Sequence, residues 1–190
     1  PSCACEVQAA LGSTKALCFD ISAACSGFIY ALHLADSMML SKSYKKTLVI
    51  GADVLSRHID WKDRTTCVLF GDGAAAAVLE FDENADGILG ESMGSDGIRG
   101  ESLTCNTLGE DPFMHMNGQE VFKFAVRTVP ESIKEALDKA KVKKEDVKFY
   151  VLHQANVRIL DSVAKKLEEE LDKFPKNLDK VGNTSGASVP

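Results

Sequence analysis

The stretch Asp20-Ile21-Ser22-Ala23-Ala24-Cys25-Ser26-Gly27-Phe28 joins an apolar run at 16–21, which predicts a strand, to a longer apolar run, which predicts a helix. Small residues form the turn between them, so a substrate could approach the backbone closely. A helix that begins near Cys25 places the sulfur at the positive end of the helix dipole, which lowers the pKa of a thiol. The alternative is a buried structural cysteine, because free cysteine is among the most buried residue types. Partners elsewhere in the chain must decide between these two interpretations.

Composition and charge exclude several classes of protein. Of the 190 residues, 45% are hydrophobic and 26% are charged, which is ordinary for a globular protein. The net charge of −6 argues against a nucleic-acid-binding surface over the whole chain. No apolar run reaches the roughly 18 residues that a membrane-spanning helix needs, and no signal-peptide pattern opens the chain. We therefore expect a cytoplasmic protein with neither nucleic acid nor membrane as a partner.

The cysteines do not predict a metal centre. The chain has six of them, without a Cys-x-x-Cys pair and without a His-x-x-x-His partner. Cys3 and Cys5 lie close together, but in a segment that predicts a helix and with no second pair. We expect no metal site and mostly reduced thiols.

Alternating strands and helices indicate an α/β protein. Helices are predicted at 3–11, 28–40, 117–129, 133–140 and 157–171, with a kink or restart at Pro130. Strands are predicted at 16–21, 47–51, 74–81, 88–93 and 147–152, and the second of these has the apolar character of a buried parallel strand. The polar connector Asp82–Gly87 separates two halves of similar order, 1–86 and 87–190. This order favours α/β layers with mainly parallel strands.

Three segments carry reactive side chains beyond the ends of predicted strands, where α/β proteins build their sites. Cys25 follows one strand, His153 ends another, and Asn183 lies in a glycine-containing loop. A thiol with histidine and asparagine suggests either a cysteine hydrolase or an acyl-transfer enzyme. Taken singly, His153 also fits a buried histidine at a strand end, and Asn183 fits a turn former.

Five segments, taken in order, carry a specific resemblance to a known family. They are 20–28, 51–56, 70–74, 153–158 and 182–190. Together they resemble the β-ketoacyl-acyl-carrier-protein synthase III family, the initiating condensing enzymes of bacterial fatty-acid synthesis. The resemblance implies a thiolase-like fold, with two similar halves and mainly parallel or mixed sheets in an αβαβα layering. It also implies a homodimer, and a chain that is an internal fragment lacking both ends of its relatives.

The resemblance implies a role for each matching residue. Cys25 would take the acyl group from an acyl-CoA primer. His153 and Asn183 would then donate hydrogen bonds to the malonyl thioester on acyl carrier protein, as decarboxylation builds an enolate. The carbanion would attack the acyl-cysteine and release the 3-oxoacyl product. No bound cofactor is implied, because acyl-CoA and malonyl-acyl carrier protein are substrates.

Binding residues also follow from the resemblance. Arg64 matches a position near the adenine of CoA, and Trp61 in the same loop is a weaker candidate for that contact. The run Gln154, Ala155, Asn156, Val157 and Arg158 matches the contact with acyl carrier protein. Arg158 and the pair Lys165–Lys166 share one side of the predicted helix, and such a basic patch would attract a small acidic carrier. The alternative is an ordinary solvated helix face.

Other proteins of the same fold remain alternatives. A 3-hydroxy-3-methylglutaryl-CoA synthase or a type III polyketide synthase also uses a cysteine with histidine and asparagine neighbours. The Asn-Thr-Ser loop at 183–185 and the His-Gln-Ala-Asn run at 153–156 favour synthase III over these. A non-catalytic thiolase-fold partner subunit would be expected to lack Cys25, His153 or Asn183, and the chain has all three.

Overall fold

The computed structural model describes residues 1–190 as a mixed α/β chain. Its helices are α1 (Cys3–Leu11), α2 (Gly27–Leu40), α3 (Gly118–Ala140), α4 (Val157–Leu167) and the short α5 (Leu178–Val181). Its strands are β1 (Lys46–Val54), β2 (Asp72–Glu80), β3 (Leu103–Cys105) and β4 (Met114–Met116). Two of its short 3₁₀ turns, Ala24–Ser26 and Ser185–Ser188, lie at the candidate site. No helix has both the length and the apolar character that crossing a membrane requires.

Helix α3 confirms one sequence expectation and corrects another. Its Asn117 cap accepts a hydrogen bond from the backbone N–H of Glu120 at 3.3 Å, as the capping pattern predicts. The predicted kink or restart at Pro130 is wrong, because α3 is one continuous helix with a buried Pro130 inside it. Apolar side chains before and after the proline pack on the same core, so tertiary packing outweighs the local cost of proline: Phe122, Ala125, Val129 and Ile133.

The main ladder joins β1 and β2 in antiparallel register, from Lys46 opposite Glu80 to Val54 opposite Asp72. The prediction of a parallel strand at 47–51 is therefore wrong. The connection between β1 and β2 holds only a 3₁₀ turn and no crossover helix, so the chain returns beside its own strand. The second ladder, β3 with β4, is also antiparallel.

Three predicted strands form no ladder in the structure. Residues 16–21, 88–93 and 147–152 carry strand-like apolar sequences but find no partner strand within the chain. A strand depends on hydrogen bonds to a neighbour, so apolar sequence alone does not create one. Several of their apolar side chains are consequently exposed: the exposed fraction is 59% for Leu17, 48% for Phe19, 54% for Phe149 and 51% for Val151.

The buried core is thin and divided into two clusters. The larger one forms where the apolar face of α4 meets the 147–152 segment and α3, and its buried members are Tyr150, Ile159, Val163, Ala164, Leu167 and Phe174. The smaller one packs α2 on β1 through Phe28, Ala35 and Val49. Helix α4 ends at Leu167 rather than at 171, because Glu168 adopts a left-handed backbone conformation with φ 57°. The division of the chain at 86/87 stays a prediction.

A backbone contact between segments far apart in the sequence lies beside the candidate site. The N–H of Asn183 donates to the carbonyl of Leu69 at 2.8 Å, and the N–H of Gly71 donates to the carbonyl of Asn183 at 2.9 Å. These bonds form an isolated parallel bridge between Phe70 and Asn183. They hold the 183–188 turn against the start of α2 and the end of β1.

Candidate active site

Cys25 lies in the 3₁₀ turn Ala24–Ser26, immediately before α2. The turn is sharp because Ala24 has a positive φ of 45°, a conformation that alanine rarely adopts. Strained backbone of this kind clusters at functional sites. The Oγ of Ser185 donates a hydrogen bond to the Cys25 sulfur at 3.7 Å. Cys25 therefore touches a residue that lies 160 positions away in the sequence.

Burial raises the pKa of the Cys25 thiol above its ordinary value. The Ser185 hydroxyl opposes this rise, the Asp53 carboxylate adds to it, and the backbone N–H of Cys25 opposes it. The expectation of a lowered pKa at the helix start is wrong, because removing the thiolate from water outweighs the hydrogen bonds and the helix end. Cys25 thus rests as a neutral thiol, with two donors placed to stabilise the thiolate as it forms.

Asn183 opens the turn that joins the site together. Its Oδ1 accepts a hydrogen bond from the N–H of Ser185 at 2.9 Å, while its Nδ2 donates to no protein group. Gly186, which follows Ser185, donates its N–H to Oδ2 of Asp53 at 3.1 Å, and this bond ties the turn to β1. Because its oxygen is occupied, the Asn183 amide offers its N–H hydrogens to a ligand.

His153 follows the 147–152 segment and points at the same turn. Its Nδ1 lies 2.5 Å from Oγ of Ser188. Burial lowers the pKa of His153 to about 4, against a smaller opposing effect of the Ser185 carbonyl. At neutral pH the imidazole is therefore uncharged, and one of its two nitrogens carries a hydrogen.

One turn, residues 183–188, thus connects all three residues that the sequence singles out. It contains Asn183, reaches Cys25 through Ser185, and reaches His153 through Ser188. The site combines a shielded thiol, an uncharged imidazole and an amide with free donors. Such a set suits acyl transfer with stabilisation of a developing oxyanion. The chain holds no group of three or more metal-ligating side chains.

The predicted CoA residues lie apart from this turn, in the connection between β1 and β2. Arg64 is exposed, and Trp61 is 66% exposed, the ring facing solvent. Two exposed side chains of these types can meet a planar base or a phosphate, and their assignment stays a prediction.

The predicted carrier-protein segment divides into a buried and an exposed part. Gln154 is only 3% exposed, and its amide bonds to the carbonyls of Leu152 and Pro175. The prediction that the Gln154 side chain contacts acyl carrier protein at the surface is therefore wrong, because this side chain is buried and bonded to the interior backbone. Asn156 caps α4 by accepting from the N–H of Arg158 at 2.8 Å.

The exposed part of that segment is basic. Arg158, Lys165 and Lys166 are exposed on α4, opposite the face that is buried in the larger core. Val157 is 41% exposed beside them, and Ala155 is half-buried. This surface keeps the prediction of a carrier-protein contact.

Sequence reasoning missed three residues of the site: Asp53, Ser185 and Ser188. Ser185 carries a readable signal, since a residue two positions after asparagine is where an Asx turn places its N–H donor. Asp53 and Ser188 carry none, because each contacts a residue that is more than thirty positions away.

The mixed α/β architecture, with a thiol, an imidazole and an amide held by one turn, places the chain in the thiolase-like class. A family model described as 3-oxoacyl-[acyl-carrier-protein] synthase III matches residues 19–97. The model of its C-terminal part matches residues 137–190. The two models together match more than half of the chain, and the chain belongs to the 3-oxoacyl-[acyl-carrier-protein] synthase III family.

Individual relatives agree with this family. A curated β-ketoacyl-[acyl-carrier-protein] synthase III of Clostridium botulinum strain 657 is 50% identical, over 100% of this chain and 62% of its own length. The crystal structure of 3-oxoacyl-[acyl-carrier-protein] synthase III from Aquifex aeolicus is 49% identical, with a TM-score of 0.95 over 100% of this chain and 61% of that one. The enzyme from Pseudomonas aeruginosa is 38% identical, also with a TM-score of 0.95, over the same shares of both chains. The chain thus spans about three fifths of the length of these relatives.

Proposed function

We propose that the protein to which this chain belongs catalyses the initiating condensation of fatty-acid synthesis. An acyl group passes from acyl-CoA to Cys25, and a malonyl group on acyl carrier protein then loses CO2 and attacks it. The products are 3-oxoacyl-acyl carrier protein, CO2 and CoA. The observation that carries this proposal is the single turn that joins Cys25, His153 and Asn183 in a chain of this family.

In the first half-reaction the Cys25 sulfur attacks the thioester carbonyl of acyl-CoA. A C–S bond forms to Cys25, the bond to CoA breaks, and the thiol proton leaves with the CoA thiolate. The Ser185 hydroxyl and the Cys25 backbone N–H lower the cost of charge on the sulfur in a site where burial otherwise raises the pKa. Sulfur suits this step because a thiolate is both a good nucleophile and a good leaving group.

In the second half-reaction the C–C bond to the malonyl carboxylate breaks, and its electron pair moves onto the thioester oxygen as an enolate. The free Nδ2 hydrogens of Asn183 and an N–H of neutral His153 support that oxygen. One such donor is typically worth about 3–4 kcal/mol. The enolate carbon then attacks the acyl-cysteine, and the Cys25 thiolate leaves.

The exposed basic face of α4 supports the proposal that the malonyl group is delivered on acyl carrier protein, which would bind this face. Arg158, Lys165 and Lys166 form a positive surface on a chain with net charge −6. A small acidic partner would be steered to such a surface, and its binding would weaken as salt is added. Val157 adds an apolar contact at the start of the same helix.

For the acyl-CoA substrate we propose that Arg64 contacts the nucleotide end of CoA, with Trp61 as a weaker candidate beside it. Arginine can stack on a planar base and pair with phosphate oxygens. Both side chains are exposed, so a ligand can reach them without displacing the core.

We further propose that the protein is a cytoplasmic homodimer. The alternate positions Leu17, Phe19 and Ile21 are all exposed, in a segment with no partner strand. Apolar side chains on an unpaired segment favour pairing with a second copy of the chain.

The experiment that tests the activity is intact-mass spectrometry after incubation with acetyl-CoA. The full polypeptide encoded by the gene should gain one acetyl group, and its Cys25→Ala variant should gain none. Cys67→Ala is the matched control, because Cys67 is another partly buried thiol but has no hydrogen bond to the 183–188 turn. This variant should be acetylated to the same extent as the unmodified protein. Adding malonyl-acyl carrier protein should then remove the acetyl group and yield a 3-oxoacyl product.

Other outcomes separate the alternatives. An adduct on Cys25 that malonyl-acyl carrier protein does not discharge would contradict the condensation and point to another thiolase-fold reaction. The experiment is repeated with branched acyl-CoA primers in the full polypeptide encoded by the gene. If no adduct forms with any primer, the catalytic proposal is overturned in favour of a non-catalytic partner subunit.

A further inference from the structure

We propose that Ser188 is a positioning residue that holds His153 in the tautomer with its hydrogen on Nε2. This inference rests on the proposed function, because it specifies how His153 becomes a donor toward the enolate oxygen. Ser188 lies 35 positions from His153 in the sequence, and its hydroxyl is nevertheless the protein group that contacts the imidazole Nδ1.

The hydrogen bonds of Ser188 determine the direction of this contact. Its Oγ lies 3.2 Å from the backbone nitrogen of Gln154, and an N–H can only donate. The only other partner of Oγ is Nδ1 of His153. The hydroxyl hydrogen must therefore point at Nδ1, or else remain unsatisfied in a residue that is 7% exposed. An unsatisfied buried donor costs about 1–3 kcal/mol, so the bond from Ser188 to Nδ1 is favoured.

The ionisation of His153 completes the argument. The imidazole is uncharged at neutral pH, so only one of its two nitrogens carries a hydrogen. Nδ1 cannot carry that hydrogen and also accept a hydrogen bond from Ser188. The hydrogen is therefore on Nε2.

The turn itself keeps Ser188 in place. Ser188 ends the 3₁₀ turn Ser185–Ser188, whose Gly186 N–H is bound by Asp53 on β1. The Gln154 N–H donates to the hydroxyl oxygen. A side chain fixed at both its backbone and its oxygen can select one tautomer with little rotational freedom. Without it, a share of the rings would present a lone pair instead of a hydrogen to the enolate, and those molecules could not assist decarboxylation.

The test reads the tautomer directly by NMR. Histidines are labelled with ¹⁵N in the full polypeptide encoded by the gene, and two-bond ¹⁵N–¹H correlations at neutral pH show which ring nitrogen carries the hydrogen. The His153→Gln variant identifies the His153 signals among the four histidines of the chain. We expect His153 to be hydrogenated on Nε2 in the unmodified protein. A hydrogen on Nδ1 would overturn the proposal, whatever the activity of the protein.

Variants then assign the tautomer to Ser188. Ser188→Ala should mix the two tautomers and slow malonyl decarboxylation by about tenfold, as expected for losing one buried hydrogen bond. The rate of Cys25 acetylation should change by less than about twofold, since the thiol has its own donors. Ser188→Thr, which keeps the hydroxyl, should restore both the spectrum and the rate. Ser162→Ala is the matched control, because that hydroxyl donates to the carbonyl of Arg158 on α4.

The outcomes keep this inference separate from the proposed function. An unchanged His153 spectrum in a folded Ser188→Ala protein would refute the role of Ser188 even if condensation proceeds. A protein with the expected tautomer shift but no acetylation of Cys25 would refute the proposed function and leave the positioning role standing.

Discussion

Replacing Gly51 by alanine should damage the site although residue 51 has no reactive group. A Cβ at this position would lie 2.5 Å from the carbonyl oxygen of Gly186, 2.7 Å from its carbonyl carbon and 2.9 Å from the nitrogen of Ala187. These are backbone atoms of the turn that carries Ser185 and Ser188, so no side chain can rotate away. Ordinary van der Waals contact begins at 3.4 Å, and the turn must move away from β1 by several tenths of an ångström or more.

Two effects follow from this displacement. Overpacking of this kind typically costs about 1–3 kcal/mol of stability. For a chain of this size the melting temperature should fall by roughly 2–12 °C. Displacing a reacting group by about 1 Å can lower a rate by about a hundredfold, so the acetylation rate of Cys25 should fall by about ten- to a hundredfold.

The assay pairs thermal unfolding, followed by circular dichroism, with timed intact-mass measurement of Cys25 acetylation. Gly97→Ala is the control, because a Cβ there meets nothing within 4 Å, and it should leave both quantities unchanged. A Gly51→Ala protein with the melting temperature and acetylation rate of the parent would refute the argument that close backbone packing of β1 positions the turn.

Two further predictions concern the charges around the site. Asp53→Asn should lower the pKa of Cys25, because it removes a carboxylate that disfavours the thiolate while keeping an oxygen for the Gly186 N–H. The rate of Cys25 alkylation by iodoacetamide, measured across pH, gives this pKa. An unchanged or raised pKa would contradict the prediction. His153 should make the protein less stable in acid: its folded pKa of about 4 lies below the ordinary 6.5, so the unfolded chain binds the extra proton and stability falls as pH drops from about 6.5 to 4. Urea unfolding should therefore show that His153→Gln loses about 1–2 kcal/mol less stability than the parent between pH 7 and 5, and equal losses would count against a buried neutral imidazole.

The sequence predicted the helices well because their signals are local. Asn117 and Glu120 mark the start of α3, and Gly12 ends α1 with a left-handed φ of 67°. The predicted strands were less secure, because a strand exists only with a partner. The apolar run at 147–152 therefore forms no ladder within this chain, and the run at 47–51 forms one of the opposite direction.

The candidate site shows the same division. Cys25, His153 and Asn183 could be named because each follows a recognisable local pattern and because their order matches a family. The contacts that set their chemistry could not, since Asp53 and Ser188 act across the fold on Gly186 and His153. The direction of the Cys25 pKa was predicted wrongly for this reason: the helix end is visible in the sequence, whereas burial of the sulfur is visible only in the structure.

The bridge between Leu69–Gly71 and Asn183 has a consequence for how such proteins can diverge. Cys25 and the residues that face it lie far apart in the sequence, and two of the bonds that hold them together, beside the side-chain bonds, join main-chain atoms. Main-chain bonds do not depend on which side chains a lineage has accumulated. A gene recombined within the Asp82–Gly87 connector should therefore keep this backbone bridge, even where the side chains of its two parents differ.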